Sequence, residues 1–257
     1  MCPKVPPLII FGHRGAAGTS PENTHAAFQQ AFADGAHGIE LDVQCCASGE
    51  VVVIHDETID RTSTGVGRVA ELSLNDLRAF DFGQWYDARF AGEGIPTLEE
   101  VFAQLPTDKV INVEIKNDHF SSRGEERAVA RLIARFDLHE RCLVSSFNPL
   151  VLWRVQQCDA RIALAYLYRP QSPWYLRGLP VTRLLRLRAL HPHHSLVTAA
   201  RVALAHRLGL QVNTWTVNDL NDVERVVACG VDGIVTDYPS RLARWHASRP
   251  SSSGQGE

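Results

Sequence analysis

Eight short apolar runs alternate with longer segments of helical period, and this alternation constrains the fold more than any other feature of the chain. The runs are Leu8 to His13, Gly38 to Val43, Lys109 to Lys116, Arg141 to Phe147, Arg161 to Tyr168, Ala189 to His191, Leu210 to Val217 and Gly233 to Asp237. Strands that are apolar on both faces and joined through helices belong to parallel sheet. Eight such units predict an α/β fold whose sheet closes into a barrel, and 257 residues is the usual size of one such domain. The barrel domain is expected over residues 1–247. Its first helix is predicted over Glu22 to Asp34, with Ser20 as cap, Pro21 in the first turn, and Phe28, Ala31 and Phe32 on one face.

One connection is out of proportion. Residues 56–94 separate the second run from Pro96-Thr97-Leu98-Glu99-Glu100-Val101, which reads as the helix that follows it. This small insertion after the second strand carries Arg61-Thr62-Ser63-Thr64-Gly65 and then Trp85, Tyr86 and Phe90, and is expected to pack over one face of the barrel mouth. Ala47-Ser48-Gly49-Glu50 ahead of Val51 to Ile54 has the form of a hairpin turn, which returns the chain and brings His55 to the same mouth. Arg183 to Leu190 alternates Arg with Leu and is read as a solvated outer helix of the barrel, ahead of a surface touching anionic membrane. Low complexity over 248–257 predicts a disordered tail.

Composition narrows the functional classes. A net charge of -3 offers no basic field for a nucleic-acid backbone. The segment Met1 to Phe11 has neither the form of a signal peptide nor that of a membrane span, so no stable membrane insertion is expected. Six cysteines without a Cys-x-x-Cys pair read as reduced thiols in a cytoplasmic protein. Nothing in the sequence sets an oligomeric state.

The charges that interrupt the apolar runs carry the chemistry. Glu40 and Asp42 share a face of the second strand, and Glu114 and Lys116 share a face of the third. Singly, each reads as a rim charge, or as an ion pair between Lys116 and Glu114. Three carboxylates converging from adjacent strands repel one another unless a cation neutralises them, and an all-oxygen set suits one hard divalent cation, Mg²⁺ or Ca²⁺. His13 ends the first strand and His55 leaves the hairpin, so both reach the mouth, free to act as acid and base. A second reading makes them ligands for Zn²⁺ or Fe²⁺ beside the carboxylates. Arg14 and Lys116 add positive charge suited to an anionic phosphate.

The ordered motifs His13-Arg14-Gly15, Pro21-Glu22-Asn23-Thr24, Glu40-Leu41-Asp42-Val43, His55-Asp56, Glu114-Ile115-Lys116, Trp215-Thr216-Val217-Asn218 and Gly230 to Asp237 resemble the glycerophosphodiester phosphodiesterase family. The insertion is similar too, through Arg61-Thr62 and Gly65-Val66-Gly67, while Cys45-Cys46-Ala47-Ser48-Gly49 departs from the family's Thr and Asp-Gly turn. The resemblance spans nearly the whole chain. It implies a TIM (β/α)8 barrel that hydrolyses small-molecule glycerophosphodiesters to glycerol 3-phosphate and an alcohol. It also implies Glu40, Asp42 and Glu114 as metal ligands, His13 and His55 as acid and base, and Arg14 and Lys116 on the phosphate. A cyclic phosphate formed by the glycerol 2-hydroxyl belongs to the same implication.

Weaker signals remain. Trp215 reads either as an apolar wall for the glycerol or alcohol or as barrel core. His191, His193 and His194 read as loop residues after the sixth strand, with one of them lining the substrate pocket, and Asp237 as an orienting group or a helix cap. Rival readings are an aldolase-type barrel using Lys116 as a Schiff-base nucleophile, a barrel that binds phosphate without turnover, and a lysophospholipase D on the same fold.

Overall fold

A computed structural model describes residues 8–117, 121–173, 181–182 and 184–248. Its strands are β1 (Ile9–His13), β2 (Gly38–Cys45), β3 (Val51–Val53), β4 (Val110–Ile115), β5 (Cys142–Ser146), β6 (Ala163–Tyr168), β7 (Ala189–Pro192), β8 (Gln211–Thr214) and β9 (Gly233–Thr236). Its α-helices are α1 (His25–Ala33), α2 (Leu74–Leu77), α3 (Leu98–Gln104), α4 (Glu125–Arg135), α5 (Pro149–Cys158), α6 (Ala199–Arg207), α7 (Leu220–Ala228) and α8 (Pro239–Ala247). β1 pairs in parallel with both β2 and β9, which closes β1, β2 and β4 to β9 into a ring of parallel neighbours. This is the expected TIM barrel. β3 lies outside the ring, antiparallel to β2, with Val43 opposite Val53.

Residues such as Ile10, Ile39, Leu41, Val43, Ile111, Val113, Val144 and Leu164 are buried between sheet and helices. Each contributes about 1.5–3 kcal/mol by leaving water. Because strand side chains alternate, anchoring these residues outward turns His13, Glu40, Asp42, Asn112 and Glu114 to the lumen face. The register confirms the shared face: His13 lies beside Glu40, Glu40 beside Asn112, and Asp42 beside Glu114.

Three local expectations are corrected. The first helix begins at His25 with Thr24 as its N-cap, so Ser20 and Pro21 stand outside it. Asn23 takes a left-handed backbone (φ 59°) there, which a helix cannot accommodate, and the Pro21 to Thr24 turn is freed to face the mouth. No outer helix forms over the described residues of 183–190; Arg183 itself lies outside them. Leu185 and Ala189 are buried while Leu184, Arg186 and Arg188 are exposed, a period-2 pattern that suits an extended approach to β7. His191 is not a loop residue but sits in β7, 1% exposed, with burial holding its pKa down to about 3.

The insertion builds a core of its own, in which Ile59, Val69, Leu77 and Phe82 pack on Cys46, Val52 and Ile54 of the hairpin. The helix after it is α3, capped by a Thr97–Glu100 capping box. Among the described residues no helix is long and apolar enough to cross a membrane. The five described cysteines, Cys45, Cys46, Cys142, Cys158 and Cys229, are free thiols. The tail expected over 248–257 lies, apart from Ser248, outside the described residues.

Candidate active site

The lumen opens at the carboxyl ends of the strands into a cleft of about 160 Å³. His13, Arg14, Glu40, His55, Glu114 and Lys116 line one side, and Phe147, Leu167 and Trp215 the other, with Asn112 and His191 also contributing. Ligand oxygens of Glu40, Asp42 and Glu114 all lie within 4.8 Å of one another. These carboxylates are 4%, 1% and 8% exposed, so their mutual repulsion is poorly screened. Burial, then the charge of Asp42, raises the pKa of Glu40 well above the ordinary carboxylate range; burial likewise raises Glu114, against the pull of Lys116. Asp42 moves the other way, because Arg14 and Lys116 outweigh its burial. A buried donor set of three oxygens, two of them reluctant to ionise unaided, fits a metal ion.

The turn after β1 explains how Arg14 reaches the carboxylates. Arg14 itself adopts a left-handed conformation (φ 50°), and Gly15 follows at φ 86° where a Cβ would meet the Ala27 backbone at 2.6 Å. The Arg14 conformation costs on the order of 1–2 kcal/mol, and it aims the Arg14 N–H at Glu40 Oε2, 3.0 Å away. The Arg14 guanidinium meets Glu22 Oε1 at 2.7 Å and Asp42 Oδ2 at 3.2 Å. Glu22 is shared with Arg61 of the insertion at 2.7 Å, and Asn23 Nδ2 donates to Asp42 at 3.0 Å. Lys116 donates to Glu114 at 2.7 Å, the plainer of the two sequence readings. It also stands 3.8 Å from Asp42 and 3.2 Å from His55 Nε2.

Each histidine is anchored through Nδ1 to a carboxylate, 2.6 Å from Asp237 for His13 and 2.6 Å from Asp56 for His55. Asp237 is therefore an orienting group; the following helix has no side-chain cap from it. Asn218 holds Asp237 in turn, donating from Nδ2 at 2.5 Å and accepting the Asp237 N–H at 2.9 Å. Arg61 holds Asp56 at 2.6 Å and keeps its pKa near 2. The environments diverge. Burial lowers the pKa of His13, but the Asp237 bond and the Glu40 charge outweigh it and the net shift is upward. Burial lowers His55 too, and with Lys116 and Arg14 beside it the net shift stays downward.

Trp215, just past β8, is half-buried, donates Nε1 to the His191 carbonyl at 2.8 Å and packs edge-on to Phe147 at 5.4 Å. His193 packs edge-to-face with Trp215 at 5.2 Å, and His194 meets Asp222 at 3.4 Å, away from the three carboxylates. Sequence reasoning assigned no role to Glu22, Asn23, Asp56, Arg61 or Asn218, although all five stand in the motifs it singled out. The available signal was their adjacency to the expected ligands and histidines.

A parallel barrel carrying its ionisable groups at the carboxyl ends of the strands is built as barrel enzymes are. Residues 13–241 match the Glycerophosphoryl diester phosphodiesterase family, and the chain belongs to that family of phosphoric diester hydrolases. It is 38% identical to the glycerophosphodiester phosphodiesterase of Caldanaerobacter subterraneus subsp. tengcongensis, covering 91% of this chain and 96% of that protein. It is 35% identical to the enzyme of the same name from Bacillus altitudinis, again over 91% and 96%. An Oleispira antarctica phosphodiesterase, solved in complex with the product sn-glycerol-3-phosphate, superposes with a TM-score of 0.81 at 27% identity, covering 93% of this chain and 97% of the other.

Proposed function

We propose that the protein hydrolyses glycerophosphodiesters to glycerol 3-phosphate and an alcohol with one divalent cation, Mg²⁺ or Ca²⁺, held by Glu40, Asp42 and Glu114. The observation that carries this reading is the pairing of that buried acidic triad with two histidines. Each is tied to a carboxylate through Nδ1, and the Nε2 atoms stand 4.0 Å from Glu40 and 3.2 Å from Lys116. When bound, the cation supplies charge neutralisation at the phosphoryl oxygens. Lys116 and Arg14 add to it on the phosphate.

In the first step His55 is the base. With its Nδ1 proton directed at Asp56, Nε2 keeps a lone pair and takes the proton of the glycerol 2-hydroxyl, whose oxygen bonds to phosphorus. His13, protonated against Asp237, gives its proton to the departing alcohol oxygen as the P–O bond to that alcohol breaks. In the second step His13 takes a proton from water, the water oxygen bonds to phosphorus, and His55 returns its proton to the glycerol 2-oxygen as the P–O bond to that oxygen breaks. Each proton transfer is worth about 10²–10⁴-fold, and the intramolecular nucleophile offsets roughly 7–11 kcal/mol of barrier. Trp215, with Phe147 and Leu167, forms the apolar wall against which the carbon skeleton lies. We place the reaction in the cytoplasm, a reading supported by the free thiols.

The reading is tested by incubating the protein with glycerophosphocholine, glycerophosphoethanolamine and a lysophospholipid in Mg²⁺, Ca²⁺ or chelator, and measuring released alcohol, together with glycerol 3-phosphate from the two deacylated diesters. Release only with a cation is expected, and turnover indifferent to chelator overturns the metal role. The insertion spends Ile59, Val69, Leu77 and Phe82 in its own core but leaves Val66 and Trp85 exposed, so alcohol release from the lysophospholipid is what separates the lysophospholipase D reading from action on deacylated diesters.

A further inference from the structure

The cleft holds a cation that the reaction described above does not use. Arg169 follows β6, on the strand face that carries Ala165 and Leu167, and it lines the same cleft as the histidines and the triad. In the eight-strand ring β6 stands four strands from β1 in either direction, so Arg169 faces the reacting groups from across the mouth. Its backbone N–H is held by Ser172 Oγ at 3.1 Å, and its guanidinium lies over the Phe147 ring, 5.4 Å from the centroid. Lys116 lies over the same ring at 5.7 Å.

The three cations differ in what neutralises them. Lys116 has Glu114 and Asp42, and Arg14 has Glu22 and Asp42. Arg169 has no carboxylate partner among the described residues, and it is exposed to the cleft's entrance. A guanidinium resting on an aromatic ring keeps its donors pointing outward in a fixed fork suited to a carboxylate or phosphate. The reacting phosphoryl group is expected on the opposite arc, beside the triad, and the glycerol moiety carries only hydroxyls. The remaining part of the substrate that can bear a charge is the alcohol.

Resting on the phosphodiesterase reading, we propose that Arg169 is a specificity-determining residue that recognises an anionic group on the alcohol moiety. It favours diesters whose alcohol bears a carboxylate or a second phosphate over those whose alcohol bears an ammonium. A cationic alcohol crossing Phe147 toward Arg169 meets like charge, and an acidic one gains a charge-assisted pair that completes the fork.

The test compares kcat/KM for the glycerophosphodiester of 3-hydroxypropanoate, a glycerophosphodiester bearing a second phosphate on its alcohol, and glycerophosphocholine. The proteins are wild type, Arg169→Gln, Arg169→Lys and Arg169→Glu. Each ratio of acidic to cationic substrate is taken within one preparation, so a change in folded fraction cancels. A partly exposed pair is worth roughly fivefold. The ratio is expected to fall by about that factor in Arg169→Gln, to fall further in Arg169→Glu and to stay within about twofold in Arg169→Lys. The two acidic substrates separate carboxylate from phosphate recognition. Calorimetric binding of the same diesters to His13→Ala protein reads the same ratio without turnover, so loss of catalysis and loss of selectivity are distinguished. Equal losses for all three substrates in Arg169→Gln, or an unchanged ratio in Arg169→Glu, overturn the proposal.

Discussion

The two sides of the barrel mouth are built on opposite terms. On the arc of β1, β2 and β4 every charged group is held by another: Glu40 by Arg14, Asp42 by Arg14 and Asn23, Glu114 by Lys116, His13 by Asp237 and His55 by Asp56. On the arc of β5, β6 and β8 the cleft is walled by Phe147, Leu167 and Trp215. A network in low dielectric transmits the loss of one member to the rest, whereas apolar contacts are lost nearly one at a time. Substitutions on the first arc should therefore collapse the reaction, and those on the second should rescale it.

The largest effect is expected from the triad. Replacing Glu114 or Asp42 by its amide removes a ligand and a charge, and kcat/KM should fall by roughly 10³-fold or more, since charge stabilisation of several kcal/mol is at stake. Calorimetric melting gives an independent reading. A cation at a hundred times its dissociation constant adds about 2.7 kcal/mol, which for a chain of this size raises the melting temperature by about 5–10 °C. Glu40→Gln should lose that increment while its cation-free form melts no lower than wild type, because buried repulsion with Asp42 is relieved. A cation-induced shift that survives in all three amide variants would break the assignment.

The histidines come next, with about 10²–10⁴-fold losses expected for His13→Ala and His55→Ala in folded protein. Their pH limbs sharpen the contrast between them. His13 works protonated and its pKa is raised, so activity persists below 6.5 and is lost as pH rises through that raised value. His55 works deprotonated and its pKa is lowered, so activity is lost only as pH falls below 6.5 through the lowered value. The pH profile of kcat/KM should be a bell spanning 6.5. Asp237→Asn removes a group that raises His13 and should draw the alkaline limb toward lower pH. Asp56→Asn removes one that raises His55 and should move the acid limb lower, widening the bell. An alkaline limb unmoved by Asp237→Asn would remove His13 from the acid role.

The barrel itself was legible because eight short, largely apolar runs recur between segments of helical period, a pattern few folds other than parallel sheet tolerate. Glu40, Asp42 and Glu114 were legible for the converse reason: charge in such a run demands an explanation. Asp237 was half legible, since a residue at a strand end can serve a cap or a site, and only its 2.6 Å approach to His13 decides between them. The start of α1 was misread because Pro21 is a good first-turn residue by local preference, while tertiary demand on Glu22 and Asn23 by Arg14 and Asp42 pulls that turn out of the helix. Arg183 to Leu190 misled by composition: Leu and Arg are strong helix formers, but their period of two matches extended chain. Arg169 left no mark in the sequence, as one arginine after an apolar strand is indistinguishable from a rim charge.

The smallest effect is expected at Trp215, and it measures the second arc most directly. Trp215→Leu keeps an apolar surface but loses the edge-to-face contacts with Phe147 and His193 and the Nε1 donation to the His191 carbonyl. Aromatic contacts of this kind are worth about 0.5–1.5 kcal/mol each. If the wall binds ground state and transition state alike, KM should rise about 3- to 10-fold while kcat holds within about twofold. That loss should be the same for acidic and cationic alcohols, in contrast to Arg169 variants. A fall in kcat at unchanged KM would mean that Trp215 acts only as charge develops on the phosphoryl group. The boundary between the two arcs would then lie beyond β8 and not at β5.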